Sequence, residues 1–234
     1  VYLNRVGGRL GLGKLIDRFY LGAIGWRGIR VRGENLKRRL RAAILAAHER
    51  AGGADGAGGG GSGVVHVLDI AAGAGRYVLE TVAALPAGVR VRVTLRDYRQ
   101  QNLDAARALA EQLGVKDATY LLADAFDRGS LAATRPGADV AVVSGLYELF
   151  PGNAEVRRSL AGLAEAVVPG GTLLYTCQPW HPQVEMIARV LTNREGHPWV
   201  MRRRTQAEMD DLTREAGFEK VGMEIDDWGI FTVS

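Results

Sequence analysis

The chain of 234 residues has one cysteine, Cys177, and no apolar run near the roughly 20 residues that a membrane-spanning helix needs. A single cysteine excludes an internal disulfide and argues against a cysteine metal site, which fits a reducing compartment. The four histidines are scattered along the chain, so we expect no metal centre. No secretory signal is recognisable either, and we expect a cytoplasmic protein.

Charge is unevenly distributed, although the net charge of the chain is only +4. Residues 1–41 contain eleven Lys and Arg against two acids, so this segment carries +9 and the remainder about −5. One interpretation is a basic platform for an anionic substrate, a membrane surface or RNA. The other is a solvated helix face that packs on an acidic body. The sequence leaves both open.

Periodicity predicts two helices before the first strand. Apolar residues recur at helical spacing from Leu12 to Ile24, GWRG (25–28) breaks the pattern, and a second helix starts near Glu34. The glycine-rich stretch 51–63 has the composition of a flexible linker. We therefore divide the chain into a basic helical cap (1–50), a linker (51–63) and a main domain (64–234).

Strands and helices alternate from Val64 onwards. The predicted strands are 64–69, 89–96, 118–122, 139–143, 171–177, 219–225 and 229–234, and the predicted helices are 76–85, 100–113, 153–167, 183–193 and 205–216. Continuous apolar runs indicate parallel strands that are covered on both faces. The short connection 226–228 permits only an antiparallel hairpin. The predicted fold is α/β: a Rossmann-like seven-stranded sheet, parallel except for an antiparallel C-terminal hairpin strand, with an N-terminal helical cap.

The segment VVHVLDIAAGAGRYVLE (64–80) runs from a strand through a glycine turn into a helix, as in chains that present their backbone to a cofactor. A nicotinamide fingerprint requires G-x-G-x-x-G, but Val78 occupies the position of the third glycine. Asp69, just ahead of the loop, would repel a pyrophosphate and could accept a hydrogen bond from an ammonium group. The loop therefore favours a cofactor with a cationic amino-acid end.

Asp69-Ile-Ala71-Ala-Gly73-Ala-Gly75 resembles the D/E-x-G-x-G-x-G motif of class I S-adenosylmethionine-dependent methyltransferases, with alanine in place of the first glycine. Later landmarks follow in order: RD at 96–97, LLADAF (121–126), VVSGLYELFP (142–151) and VVPGGTLLYT (167–176). The resemblance covers about 64–234. It implies S-adenosylmethionine as cofactor and S-adenosylhomocysteine as product.

The resemblance also implies particular cofactor contacts. Asp97 would accept from both ribose hydroxyls, and Asp124 would accept from the adenine amino group, with Ala125 and Phe126 beside the base. The full implied cofactor site comprises Asp69, Ala71, Gly73, Gly75, Tyr77, Asp97, Tyr98, Asp124, Ala125, Phe126, Ser144 and Gly145. Strand-end solvation or helix capping is the alternative role for the two later acids.

Candidates for the acceptor side follow strands 4 and 5, because ligands of open α/β sheets bind at the carboxyl ends of strands. Glu148 would be a base or would orient the acceptor, Tyr147 would form a wall, and His181 would act from the loop after strand 5. Ordinary structural roles are the alternative for each. Candidate substrate contacts are Tyr20, Trp26, Arg27 and Trp180.

These features predict a methyltransferase that acts on a small or lipid-like molecule. SGLY stands where amino methyltransferases carry N-P-P-Y or D-P-P-Y, which favours an oxygen, carboxylate or carbon acceptor over nitrogen. An RNA methyltransferase and a non-catalytic cofactor-binding module are the alternatives. Sparse aromatics and the lack of an RNA module argue against nucleic acid, whereas a peripheral membrane contact fits the basic segment.

A second resemblance covers FYLGAIGWRGIRVR, SGLYELFP, QPWHPQVEMIARVL and WVMRRRTQAEMD. These segments are similar to those of a bacterial group of methyltransferase domains, some of which are attached to an α/β-hydrolase-type domain. The resemblance implies that the basic cap belongs to the unit and that a hydrolase-type domain is a candidate partner. It implies neither the identity of the acceptor nor the oligomeric state.

Overall fold

The computed structural model describes residues 21–54, 63–193 and 196–234. Its α-helices are α1 (Ile24–Ala54), α2 (Arg76–Ala83), α3 (Gln100–Leu113), α4 (Arg128–Ala132), α5 (Asn153–Ala166), α6 (Val184–Val190) and α7 (Gln206–Glu215). Its strands are β1 (Val64–Asp69), β2 (Arg90–Asp97), β3 (Ala118–Leu122), β4 (Ala138–Val143), β5 (Val167–Cys177), β6 (Glu224–Ile225) and β7 (Thr232–Val233). A short 3-10 helix, Tyr147–Leu149, follows β4.

The seven strands form one sheet in the order β3-β2-β1-β4-β5-β7-β6. Strands β1 to β5 pair in parallel, and β7 pairs antiparallel with both β5 and β6. This arrangement confirms the predicted Rossmann-like sheet and its antiparallel C-terminal hairpin strand. Because the chain moves outwards from β1 to β3 and then returns to β4, the switch point of the topology lies at the carboxyl ends of β1 and β4. Open α/β sheets bind their ligands at such a switch point.

Helix α1 covers one face of the sheet. Its apolar stripe, Leu36, Leu40, Ile44 and Ala47, recurs at helical spacing and is buried in the same cluster as Val65 and Val67 of β1. The second cluster lies on the opposite face, where α4, α5 and α7 pack against β1, β4 and β5. The sheet is therefore covered on both sides, as its continuous apolar strands require.

The predicted break at 25–28 and the predicted helix start near Glu34 are wrong, because α1 runs without interruption from Ile24 to Ala54. Its glycines serve close packing instead. A Cβ at Gly25 would lie 2.4 Å from His181 Nε2, and one at Gly28 would lie 3.1 Å from the Phe231 ring. Tertiary contact thus outweighs the weak helix propensity of glycine. The helix also includes 51–54, which begin the predicted linker.

Other boundaries differ at the C-terminal end. The strands predicted at 219–225 and 229–234 shrink to two residues each, and the helix predicted at 183–193 ends at Val190. Helix α4 was not predicted, since its five residues are too few for a periodic signal. The first predicted helix, apart from 21–24, lies outside the described residues, as do Tyr20 and linker residues 55–62.

Part of the basic segment pairs with the body of the protein. Lys37 Nζ lies 2.7 Å from Glu34 and 3.4 Å from Glu80, and Arg38 and Arg39 both pair with Glu224. This pairing matches a helix face packed on an acidic body. No helix in the described ranges is long and apolar enough to cross a membrane.

Because α1 contributes to the core, Leu40→Ala should lower the free energy of unfolding by about 2–5 kcal/mol, the usual cost of a large-to-small change in a packed core. Urea denaturation of the full chain measures this loss. Val221→Ala is the control, since Val221 is 90% exposed, and should change stability by less than about 0.5 kcal/mol. Equal stability of the two variants would mean that α1 is not part of the cooperative core.

Candidate functional site

The glycine loop joins β1 to α2 at the switch point. Gly75 has a φ of 62° and caps α2, and a Cβ there would lie 2.6 Å from Leu95 Cδ1. Gly73 also has a left-handed φ, 54°, but a Cβ there would meet no described atom within 4 Å. Gly75 is therefore a packing glycine, whereas Gly73 borders open space that a ligand could fill.

Asp69 ends β1 beneath this loop and is 6% exposed. Its Oδ1 atom has no hydrogen-bond partner among the described residues. Burial raises the pKa of Asp69 to about 7, opposed by a backbone hydrogen bond from Ala71 and reinforced by the nearby charge of Asp97. A buried, unsatisfied carboxylate is costly, and a cationic group of a ligand would relieve that cost.

Asp97, at the end of β2, holds the loop in place. One carboxylate oxygen accepts from the Gly73 N–H at 2.9 Å, and the other accepts from the Arg99 N–H and from Asn102 Nδ2, each at 2.9 Å. A carboxylate oxygen has two lone-pair directions, so Asp97 retains capacity for a further donor on Oδ2. The residue predicted for ribose binding therefore also fixes the loop.

The third acid, Asp124, is exposed and accepts from the Phe126 N–H at 2.9 Å. Phe126 is half-buried with its ring 4.5 Å from that of Phe150, and Ala125 is buried in the core. Tyr98 is 61% exposed, and the Arg99 guanidinium lies 5.1 Å from its ring centre. These groups follow the carboxyl ends of β2 and β3, and the rings of Tyr98 and Phe126 are of the kind that a planar base contacts.

The carboxyl end of β4 meets helix α1 at Ser144 and Gly145. The Gly145 N–H donates to Thr176 Oγ1 at 2.8 Å, and a Cβ on Gly145 would lie 3.5 Å from Arg32 Nη2. Ser144 Oγ is buried and has no hydrogen-bond partner in the described part of the chain. Tyr77, by contrast, packs against α1, since a Cβ on Gly33 would lie 2.7 Å from its ring.

Glu148 forms a buried pair with Arg32 of α1. Arg32 Nη1 lies 3.5 Å from Glu148 Oε1, and both side chains are less than 10% exposed. Glu148 Oε2 has no partner within the described ranges. Burial raises the pKa of Glu148 from its ordinary value, and the Arg32 charge partly opposes that rise. The pair places a carboxylate with one uncommitted oxygen beside the end of β4.

Tyr147 lies in the core, where its hydroxyl pairs with Ser159 Oγ at 3.0 Å. Burial raises the pKa of Tyr147 above its ordinary value. The loop that carries both candidates is anchored by Arg204, which donates to the carbonyls of Tyr147, Phe150 and Gly152. Arg204 thus positions the loop, a use of the MRRRT segment that the charge pattern does not reveal.

His181 is buried against α1 and Phe231. Its Nδ1 accepts from the Gln183 N–H at 3.0 Å, so in the neutral ring the proton sits on Nε2. Burial lowers the pKa of His181, which keeps the ring neutral. In this geometry His181 is a hydrogen-bond donor rather than a ready base. Its catalytic role stays a prediction, as do those of Glu148 and Tyr147.

The predicted substrate residues within the described ranges do not all lie together. Trp26 lines an apolar pocket between the start of α1 and α6, together with His181. Arg27 is exposed, with its guanidinium 4.8 Å from the Trp228 ring. Trp180 is 48% exposed in the loop after β5. The structure therefore brings Trp26 and His181 together, and sets Arg27 against the C-terminal hairpin.

Residues 1–234 match the family described as "Putative methyltransferase". The chain belongs to this methyltransferase family. It is also 48% identical over 236 residues to the Escherichia coli K12 protein YnbC, in an alignment that covers all of this chain and 38% of YnbC. The chain thus spans well under half of that relative.

Solved structures share the fold of this chain. A protein of Bordetella parapertussis, described as a possible exported protein, aligns with a TM-score of 0.69 at 23% identity over 97% of this chain and 73% of its own. The magnesium protoporphyrin IX methyltransferase of Synechocystis, solved with bound SAH, aligns with a TM-score of 0.61 at 15% identity over 95% and 92%. At these identities the likeness shows the fold.

Sequence reasoning missed three residues that help to build the candidate site. Arg32 and Arg204 lie in basic runs, which favour a surface role, and Asn102 lies in an ordinary helical pattern. No local signal marks them, because their partners come from other elements of the fold. The Arg32–Glu148 pair, for instance, joins residues 116 positions apart.

The raised pKa of Asp69 predicts a pH-dependent stability. The folded-state pKa is about 7 against an ordinary value of 3.8, so ionisation destabilises the ligand-free fold as pH rises through that window. Asp69→Asn removes this charge. The stability gained by the variant over the wild type should therefore grow between about pH 4 and pH 7 and level off above, at no more than about 4 kcal/mol.

Urea denaturation across this pH range checks the effect. Asp227→Asn is the control, because Asp227 is exposed and should show a flat difference from the wild type. A flat difference for Asp69→Asn as well would show that Asp69 ionises normally in the fold.

Proposed function

We propose that the chain is an S-adenosylmethionine-dependent methyltransferase that acts on a small or lipid-like acceptor, at oxygen, carboxylate or carbon. The observation that carries the proposal is the combination of open space beside Gly73, the unsatisfied Asp69 carboxylate at the end of the preceding strand, and the Asp97 carboxylate bonded to the Gly73 N–H. A compact cationic amino acid joined to a nucleoside matches this combination, whereas a pyrophosphate would meet two carboxylates.

The residues present fit that cofactor. Asp69 would receive the ammonium group, directly or through water, and Gly73 would leave room for the methionine portion. Asp97 would accept from the ribose through its remaining lone pair, while Tyr98, Asp124 and Phe126 would hold the adenine. The fit is supported by the magnesium protoporphyrin IX methyltransferase of Synechocystis, which has the same fold and whose structure contains SAH.

When bound, S-adenosylmethionine supplies an electrophilic methyl group on a sulfonium. The chain must align an acceptor atom in line with that group and exclude water. Glu148, beside the end of β4, orients the acceptor or takes its proton through its uncommitted oxygen. Arg32 lies beside Glu148, and its charge partly opposes the rise in the pKa of Glu148 that burial causes.

Acceptors without nitrogen nucleophiles remain the preferred class, since SGLY occupies the place of an amino-methyltransferase motif. A solved O-methyltransferase family protein from Burkholderia thailandensis shares the fold, with a TM-score of 0.58 at 16% identity over 93% of this chain and 61% of its own. The non-catalytic binding module stays an alternative that the acceptor screen below separates from an enzyme.

Gly73→Ala should weaken S-adenosylhomocysteine binding at least about tenfold, equivalent to roughly 1.4 kcal/mol, because its methyl group would fill space that the cofactor occupies. Isothermal titration with S-adenosylhomocysteine measures this affinity, and a parallel titration with NAD tests the alternative cofactor. The control is Gly114→Ala: Gly114 also has a left-handed φ, 74°, and an open Cβ direction. It should bind as the wild type does. Equal affinities for both variants would move the cofactor away from Gly73.

Glu148→Gln should slow methyl transfer at least about tenfold and leave S-adenosylhomocysteine affinity within about twofold, since a positioned base typically contributes a factor of 10²–10⁴. The acceptor comes from a screen of phenols, carboxylic acids and fatty acids with methyl-tritiated cofactor. Glu165→Gln is the control, at a surface pair with Arg128. A fully active Glu148→Gln would make Glu148 structural. Cofactor binding without transfer to any acceptor would favour the binding module.

A further inference from the structure

A pocket with an apolar lining opens beyond the end of β5. It lies between the first turns of α1, helix α6 and the C-terminal hairpin, and its walls include Trp26, Ile29, Ile187, Trp199 and Phe231. Three of these five side chains are aromatic. A wall of this kind excludes charged ligands and suits a flat apolar ring.

One polar side chain in this wall, Gln178, has a polar atom that lacks a hydrogen-bond partner in the described ranges. Gln178 directly follows β5, is 3% exposed, and its Nε2 atom is buried with no hydrogen-bond partner in the described ranges. An unsatisfied buried donor costs about 1–3 kcal/mol, so such groups in native folds call for a ligand or water. The amide N–H of Gln178 can therefore donate a hydrogen bond to an oxygen of a ligand or of water.

A second polar side chain of the wall, His181, is less available than Gln178; Gln183 also lines the pocket. His181 Nδ1 is occupied by the Gln183 N–H, and Nε2 faces the backbone of α1 at Gly25, where even a Cβ would lie only 2.4 Å away. His181 therefore helps to seat α1. Among the polar side chains that line the pocket, Gln178 is the one with a buried atom that lacks a hydrogen-bond partner in the described ranges, so it can fix the orientation of a ligand.

Gln178 also links the pocket to the transfer site. Its side chain borders a smaller adjoining cavity whose wall includes Glu148 and Thr176. Thr176 in turn accepts from the Gly145 N–H at the end of β4. A ring in the apolar pocket with an oxygen at Gln178 would thus place that oxygen on the side facing Glu148.

We propose that this pocket binds the ring of an aromatic methyl acceptor and that Gln178 is a specificity-determining residue, whose Nε2–H donates to an oxygen on that ring system. The assignment rests on the proposed function, because it names the acceptor class of the same site. Gln178 selects an oxygenated ring over its hydrocarbon counterpart, since only the former satisfies the buried donor.

The test uses a matched pair of probes, indanone and indane, which differ by a carbonyl in place of a methylene group. Ligand-observed NMR titrations measure both dissociation constants for the full chain saturated with S-adenosylhomocysteine. The wild type should bind indanone about five- to tenfold more tightly than indane. Gln178→Leu should bring that ratio to about one, mainly through weaker binding of indanone.

Two further variants locate the binding. Ile29→Trp should abolish binding of both probes by filling the pocket, with Leu191→Trp as the substitute if that variant does not fold. Gln112→Leu is the matched control on the exposed face of α3 and should keep the wild-type ratio. Each variant is first titrated with S-adenosylhomocysteine, so loss of the cofactor site is detected separately.

The proposal is overturned if the cofactor-saturated wild type binds neither probe, if it binds both equally, or if Gln178→Leu keeps the preference for indanone. Any of these results with intact S-adenosylhomocysteine binding leaves the proposed function standing. Failure to bind S-adenosylhomocysteine in the wild type would instead contradict the proposed function itself.

Discussion

The site depends on how closely helix α1 can approach the carboxyl ends of the strands. Three positions of the helix lack a Cβ where another side chain presses against it: Gly25 against His181, Gly28 against Phe231 and Gly33 against Tyr77. At each of them a Cβ would lie between 2.4 and 3.1 Å from the neighbouring side chain. Protein interiors tolerate little such overlap, so larger residues would push the helix outwards. The approach brings Arg32 to Glu148 and Trp26 to the apolar pocket.

Asp97 and Asp69, the two acids next to the glycine loop, have different surroundings and therefore different roles. Asp97 accepts three hydrogen bonds from the protein and so fixes the loop before any ligand arrives, with one acceptor direction left on Oδ2. Asp69 has the opposite environment, with an unmet oxygen and a pKa raised to about 7 by burial. A cationic ligand would restore its charge. Asp97 therefore holds the loop in place without a ligand, whereas the charge of Asp69 depends on the ligand. Such a loop is preorganised for binding.

Much of this architecture could be predicted from the sequence because its signals are local. The apolar run of β1, the acid at its end and the glycine turn are consecutive, and the short connection 226–228 allows only a hairpin. The continuity of α1 could not be predicted, since GWRG has the composition of a helix break and only the contacts of Gly25 and Gly28 explain it. The roles of Arg32 and Arg204 could not be predicted for a related reason. An arginine in a basic run is indistinguishable from a surface charge until its distant partner is known.

The proposed cofactor site and the proposed acceptor site differ in how the chain builds them. The former comes from strand ends and the turns that follow them, each of which carries its own sequence signature. The latter is assembled from α1, the loop after β5, α6 and the hairpin, which meet only in the folded chain. Gln178 shows the consequence: an ordinary glutamine becomes informative once burial leaves its amide without a partner. Because these segments lie outside the glycine loop, the proposal implies that substitutions in them change the acceptor while the cofactor site is kept. Function in such folds is therefore decided in the segments that sequence patterns describe least.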